Sequence, residues 1–163
     1  GTLLVDPSFS PEQKHNKQYY RTKGCIFDQS MILETYQDLL KAAKILNSRD
    51  PFLKTVKEQI GKLDAIKIGE SGQIKEFREE TKYGEIGEYT HRHISHLCAL
   101  YPGTTINNNT PEWMKAAIIT LNKRGDKSTG WAMAHRQSLS IISKYITQRK
   151  FRKFMGSTSA FSN

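Results

Sequence analysis

Thr110-Pro111-Glu112-Trp113-Met114-Lys115-Ala116-Ala117-Ile118-Ile119-Thr120-Leu121-Asn122-Lys123-Arg124-Gly125 holds both ends of one helix. Thr110-Pro111 is a start signal, a capping residue followed by proline where the first turn has no use for an amide. Trp113, Ala116, Ala117 and Leu121 follow at helical spacing and give one apolar face. Gly125 is the stop, because glycine enters the left-handed conformation that ends helices.

The same grammar recurs outward from this stretch. Asp50-Pro51 opens a helix carrying Phe52, Leu53, Val56, Ile60 and Leu63. Before it, from about Phe27 to Leu46, Ile32, Tyr36, Leu39, Leu40, Ala43 and Leu46 form a stripe with spacings of three and four. Ile94 to Tyr101 is predicted as a short helix stopped by Pro102-Gly103. Thr129-Gly130 leads into a last helix from Trp131 to about Lys150. No βαβ alternation, strong period-two run or internal repeat appears, so the predicted fold class is all-α.

The 163 residues suit one domain, able to bury roughly two-thirds of its unfolded surface. Hydrophobic content of 37% fits a globular chain rather than a disordered one. No stretch approaches the ~20 apolar residues of a membrane span, and no signal peptide is visible. Because the chain begins with Gly1, it is read as processed, tagged or excised from something longer. Residues 1–155 are expected to form the domain and 156–163 a disordered tail.

Net charge is +9, which raises the question of nucleic acid or heparin. Most lysines are scattered as on solvated helix faces. The densest group, Lys144, Arg149, Lys150, Arg152 and Lys153 near Phe151 and Phe154, has no nucleic-acid module signature around it. Cys25 and Cys98 are too few for a disulfide framework and lack CxxC spacing, so both are expected as buried free thiols.

The chemistry-bearing residues lie between the helices. His91-Arg92-His93-Ile94-Ser95-His96 gathers three of the five histidines. Zinc ligation is one reading, with an upstream glutamate as fourth ligand. Arg92 would repel a cation, however, and no HExxH is present, which favours histidines hydrogen-bonding in a pocket. In Ser8-Phe9-Ser10-Pro11-Glu12 a proline fixes the backbone beside a carboxylate, aimed into a cleft or simply complementing a helix N-terminus. In Ile68–Phe77 two glycines precede Gln73 and Glu76, which would share a face if helical, with Phe77 as a stacking surface. The alternative is an ordinary turn. Asp126, before Ser128, Thr129 and Trp131, could orient a water or cap the following helix. The RGD tripeptide it completes is common by chance.

Taken in order, SFSPE (Ser8–Glu12), FDQSMILE (Phe27–Glu34), IGESGQIKEF (Ile68–Phe77), THRHISHLCALYPG (Thr90–Gly103), NTPEW (Asn109–Trp113) and RGDKSTGWAMAHR (Arg124–Arg136) resemble the catalytic domain of glycoside hydrolase family 95. These are the inverting 1,2-α-L-fucosidases and related α-L-galactosidases, and the likeness runs from about Leu3 to Arg136. It implies an (α/α)6 barrel, or six-hairpin toroid, and hydrolysis of terminal α-1,2-linked L-fucose from glycans without cofactor or metal. Bacterial members are often secreted or held at the cell surface. By position in the motifs the resemblance assigns Glu12 as general acid, with Glu76 as its rival, and Asp126 as the carboxylate supporting water activation through asparagine side chains. His91, Arg92, His93 and His96 would line the fucose pocket, with Gln73, Glu76 and Trp131 nearby. An inverting pair stands ~6.5–9.5 Å apart to admit a water, and the acid must be kept protonated by burial or nearby negative charge.

Departures accompany the likeness. The family's asparagines lie upstream of SFSPE, a complete barrel has about twice these helices, and Gln137-Ser138-Leu139-Ser140 replaces the family's usual continuation. The chain is therefore expected to be the C-terminal part of an incomplete toroid, through truncation, a frameshifted end or a gene remnant. Alone it would be inactive and prone to self-association through faces meant for the rest of the domain. A fucose-binding remnant without turnover and a basic nucleic-acid- or heparin-binding helical protein are the alternatives.

Overall fold

The computed structural model describes residues 1–64, 66–125 and 127–158. Among these, four α-helices are joined by long irregular segments: α1 (Ile26–Ile45), α2 (Phe52–Ile60), α3 (Pro111–Arg124) and α4 (Gly130–Thr158). α1 packs on α2 and α3 on α4. Short connections join the members of each pair.

The boundary signals hold at α2 and α3, but a side-chain cap forms only at α2. The Asp50 carboxylate accepts from the Phe52 amide at 2.8 Å, satisfying an otherwise orphaned donor of the first turn. α3 begins at Pro111 and ends before Gly125, whose φ of 65° suits glycine. The Thr110 hydroxyl makes no cap and instead donates into the preceding loop, to Thr105 O at 3.2 Å.

Three expectations are corrected. A small antiparallel hairpin, β1 (Lys14–His15) with β2 (Gln18–Tyr19), precedes the first helix, so the chain is mostly helical rather than all-α as expected. Its turn residues Asn16 and Lys17 both have positive φ, 52° and 64°, the pattern of a type I′ turn. The helix predicted over residues 94–101 shrinks to a single 3-10 turn, Ser95–Leu97. Pro102 has no amide to give the Cys98 carbonyl, which accepts from Gly103 N at 2.9 Å instead, while Ala99 O accepts from Ile106 N at 2.8 Å. Finally, α4 runs past Lys150 through residues 156–158, where a tail was expected. No proline interrupts it, and one glycine, Gly156, costs only about 1 kcal/mol in a helix. The remainder of that tail lies outside the described residues.

The core joins α3, the first part of α4, the 3-10 turn and the start of α1. Ile26, Ile74, Ile94, Leu97, Ile106, Ala117, Leu121 and Leu139 are buried in one cluster. α1 contributes only its first turn, and further along its stripe is half-buried or exposed. Tyr36 reaches α2 by donating to Gln59 Oε1 at 2.6 Å. Midway along α1, Glu34 accepts from the amides of Thr104 and Thr105 at 2.9 and 3.0 Å and from both hydroxyls. Burial is the largest single influence and pushes its carboxyl up, but the four bonds together outweigh it and hold the carboxyl below the usual carboxylate range.

Candidate active site

Glu76 is the centre of the site's lower layer. It is 3% exposed, and its Oε1 accepts from Ser10 Oγ at 2.6 Å. Its Oε2 accepts from Gln13 Nε2 at 3.1 Å and Tyr83 Oη at 3.4 Å. Arg124 Nη2 and His96 Nδ1 lie 3.5 and 3.8 Å from the same oxygen. Ser10 and Gln13 flank Glu12 in sequence, so this buried carboxylate anchors the acid-bearing segment. Gly87 permits the approach: its φ is 79°, and a Cβ there would stand 2.5 Å from Gln13 Oε1, which accepts from the Glu88 amide at 2.8 Å.

Glu12 lies above this layer, on the surface. Its side chain is 47% exposed, is ion-paired with Arg92, and lies 3.5 Å from His93 Nε2. The His93 ring stacks on His91 at 5.3 Å and tilts against Trp131 at 5.0 Å. Ser95 Oγ donates to Pro11 O at 3.2 Å, fastening the SFSPE segment to the histidine run a second time. Thus Glu12, Arg92, His93 and Trp131, from three distant parts of the sequence, form one rim.

The remaining expected residues divide between support and separation. His91 is buried, and its Nδ1 accepts from the His93 amide at 3.1 Å, so it presents an acceptor there. Burial pulls it below the ordinary histidine range, with Glu88 opposing. His96 is fully buried against Tyr83, and burial lowers it too, opposed by Glu76. Gln73 is buried in the turn closed by the Ile68–Ile74 bridge, donates to Ser71 Oγ at 3.1 Å, and has no described contact with the rim. Gln73 and Glu76 share no helix, and Phe77, fully buried edge-on to Tyr20, offers no sugar-stacking face. Asp126 lies outside the described residues. Among the described residues no three His, Cys, Asp or Glu side chains are arranged to hold a metal ion.

Four side chains missed in the sequence complete the setting. Tyr83 hydrogen-bonds Glu76 and carries the Arg124 guanidinium over its ring at 5.3 Å. Glu80 accepts from the Glu76 amide at 2.7 Å, and burial with the neighbouring Glu76 charge pushes its carboxyl up to about 7. Arg124 donates to the carbonyls of His91 and His93, and Arg136 to those of His91 and Gly125. Burial brings Arg124 down to about 10, opposed by Glu76, leaving it charged at neutral pH. The one available signal was position: Arg124 and Arg136 bracket the loop holding Asp126.

The chain is similar to proteins of one family. Residues 1–151 match the Glycosyl hydrolase family 95 catalytic domain. The chain is 32% identical over 145 residues to "Alpha-L-fucosidase 2" of Arabidopsis thaliana, covering 85% of this chain and 17% of that protein. It is 37% identical over 149 residues to "Probable alpha-fucosidase A" of Aspergillus oryzae, covering 85% and 20%. For the protein of that name in Aspergillus niger the identity is 31% over 147 residues, covering 85% and 18%. The chain spans about a fifth of the length of these relatives. With the family's catalytic domain matched from residue 1 to residue 151, the chain belongs to glycosyl hydrolase family 95.

Proposed function

We propose that this chain supplies the acid-bearing part of the active site of an inverting α-L-fucosidase that removes terminal α-1,2-linked L-fucose from glycans. The observation that carries the reading is the rim: Glu12 beside Arg92 and His93, with Trp131 against the same histidine. An exposed carboxyl faces solvent there among hydrogen-bond donors and an aromatic edge, the components a sugar ring needs. Glu76 is the weaker candidate for the acid, since Ser10, Gln13 and Tyr83 already donate to it beneath the surface.

In this mechanism substrate entry separates Glu12 from Arg92. The bound sugar then covers the carboxyl, a desolvation that favours its protonated form, and Glu12 gives that proton to the glycosidic oxygen as the bond to the anomeric carbon breaks. Water attacks that carbon from the opposite face and loses a proton toward the Asp126 side, so α-fucoside yields β-fucose. Arg92 and His93 hold sugar hydroxyls, and His91 and His96 support them from below. The helix pairs α1–α2 and α3–α4 would be hairpins of a six-hairpin toroid. The 163-residue chain by itself is expected to bind fucoside without turning it over, because the asparagines that the resemblance assigns to the water lie upstream of SFSPE.

The test uses 2′-fucosyllactose with the chain alone and with a polypeptide supplying the rest of the Aspergillus oryzae relative's catalytic domain. Turnover is expected only in the second arm, with β-fucose as the first product by proton NMR. Glu12→Gln should lower its kcat by about 10²-fold or more. Turnover by the chain alone, unaffected by Glu12→Gln, would refute both the assignment and the incompleteness.

A further inference from the structure

We infer that Arg124 and Arg136 are positioning residues that tie the sugar-facing strap His91–His93 to the loop carrying Asp126. The inference rests on the fucosidase reading above for its functional meaning, while the tether is a separate physical statement about the backbone.

Arg124 is the last residue of α3, and its Nη1 donates to the carbonyls of His91 and, at 2.9 Å, His93. The chain bends at Arg92, which brings the two carbonyl oxygens closer together than an extended strand would hold them, so one guanidinium nitrogen can take both. Arg92 lies between these two anchored carbonyls, and its side chain is left outward against Glu12. Arg136, one helix later, donates from Nη2 to His91 O at 3.0 Å and from Nη1 to Gly125 O at 2.8 Å. Its planar fork therefore spans the strap and the residue before Asp126, a reach a single ammonium does not have.

Simple packing does not call for this arrangement. Two guanidinium groups, 4% and 3% exposed, share one carbonyl oxygen despite their mutual repulsion. Removing their charge from water is expensive unless hydrogen bonds and counter-charge offset it. Glu76 at 3.5 Å from Arg124 and the carbonyl end of α3 provide the offset. Glu76 also holds Ser10 and Gln13 on either side of Glu12. The acid segment, the strap and the Asp126 loop thus meet at this arginine pair.

The experiment compares Arg136→Met, Arg136→Lys and Glu34→Gln in the 163-residue chain. Glu34→Gln loosens the clip between α1 and Thr104–Thr105 and serves as the control for general destabilisation. Backbone amide signals and hydrogen exchange of Arg92, His93 and Lys127 read the tether. Titration of the Trp131 indole signal with 2′-fucosyllactose reads the pocket. Arg136→Met should speed exchange at those amides and weaken binding about tenfold, with partial recovery of both in Arg136→Lys. Glu34→Gln should move neither. If Arg136→Met does not fold, Arg136→Lys decides alone: one ammonium keeps one carbonyl, so either the strap or Lys127 loosens, but not both. Unmoved strap and loop amides in the folded variants would overturn the tether. So would an equal loss of binding in Arg136→Met and Glu34→Gln. Moved amides in a chain that never binds 2′-fucosyllactose would keep the tether and refute the fucosidase reading.

Discussion

The α1–α2 pair and the loops beneath the rim contrast in how firmly they are held. The helices have regular hydrogen bonds throughout, yet Ile45 and Leu46 are 79% and 76% exposed and Phe52 is 54% exposed. The loops have almost no regular structure, yet they bury Gln13, Glu76, Glu80, His91 and His96. A helix satisfies its own backbone and can leave an apolar face open. A buried loop must find a side-chain partner for nearly every polar group. Regularity and fixity therefore run in opposite directions here, and the candidate catalytic groups stand on the irregular side.

The comparison would break most visibly at Glu76. Glu76→Ala removes the acceptor for Ser10, Gln13 and Tyr83 and leaves Arg124 buried without its counter-charge. The expected loss is about 3–5 kcal/mol, a fall in melting temperature on the order of 10 °C. If differential scanning fluorimetry shows no more than a degree or two, the loops are not held as argued.

A smaller, pH-dependent effect belongs to Glu80. Its carboxyl in the folded chain is raised to about 7 from its ordinary 4.5, first by burial and then by Glu76. The folded state therefore holds a proton more tightly than the unfolded state. The resulting stabilisation is complete below about 4.5 and is lost as pH rises through about 7. Glu80→Gln keeps an acceptor for the Glu76 amide and removes the charge. It should raise the melting temperature by a few degrees at pH 8 and by little or nothing at pH 5. Equal gains at both values would mean that Glu80 ionises freely. His91 and His96 act in the opposite sense, because their lowered values remove stability as pH falls below the ordinary histidine range.

The smallest change is expected on the helical side. Ile45→Ser with Leu46→Ser removes two exposed apolar side chains and should shift stability by no more than about 0.5 kcal/mol, with less self-association by light scattering. A large loss of stability would mean that this face is covered in the folded chain.

The sequence made the helices legible wherever capping chemistry was local. Asp50-Pro51 and Thr110-Pro111 mark starts, and Gly125 marks a stop, because the groups involved are a few residues apart. The β1–β2 hairpin escaped notice because two residues per strand leave no period-two pattern and Asn16-Lys17 is not the familiar Asn-Gly. The 3-10 turn was overestimated because apolar spacing does not report that Pro102 withholds an amide from Cys98. In the site, the motifs named Glu12, Arg92, His93 and Trp131, which are neighbours in the structure. They did not separate those four from Glu76, which bonds to Ser10 and Gln13 more than sixty residues earlier. Such long-range hydrogen bonds leave no trace in spacing, and Arg124 and Arg136 escaped for the same reason.

The hairpin tip at Asn16-Lys17 offers a convenient place to observe the rim. Its second strand is followed by Tyr20, whose amide donates to Gln13 O at 3.3 Å, so the tip is joined to the backbone next to Glu12. A fluorophore attached at exposed Lys17 would leave the apolar interior untouched while sharing the movements of the acid's own segment. Docking of a glycan could then be followed as a change in emission, without any bond being cleaved.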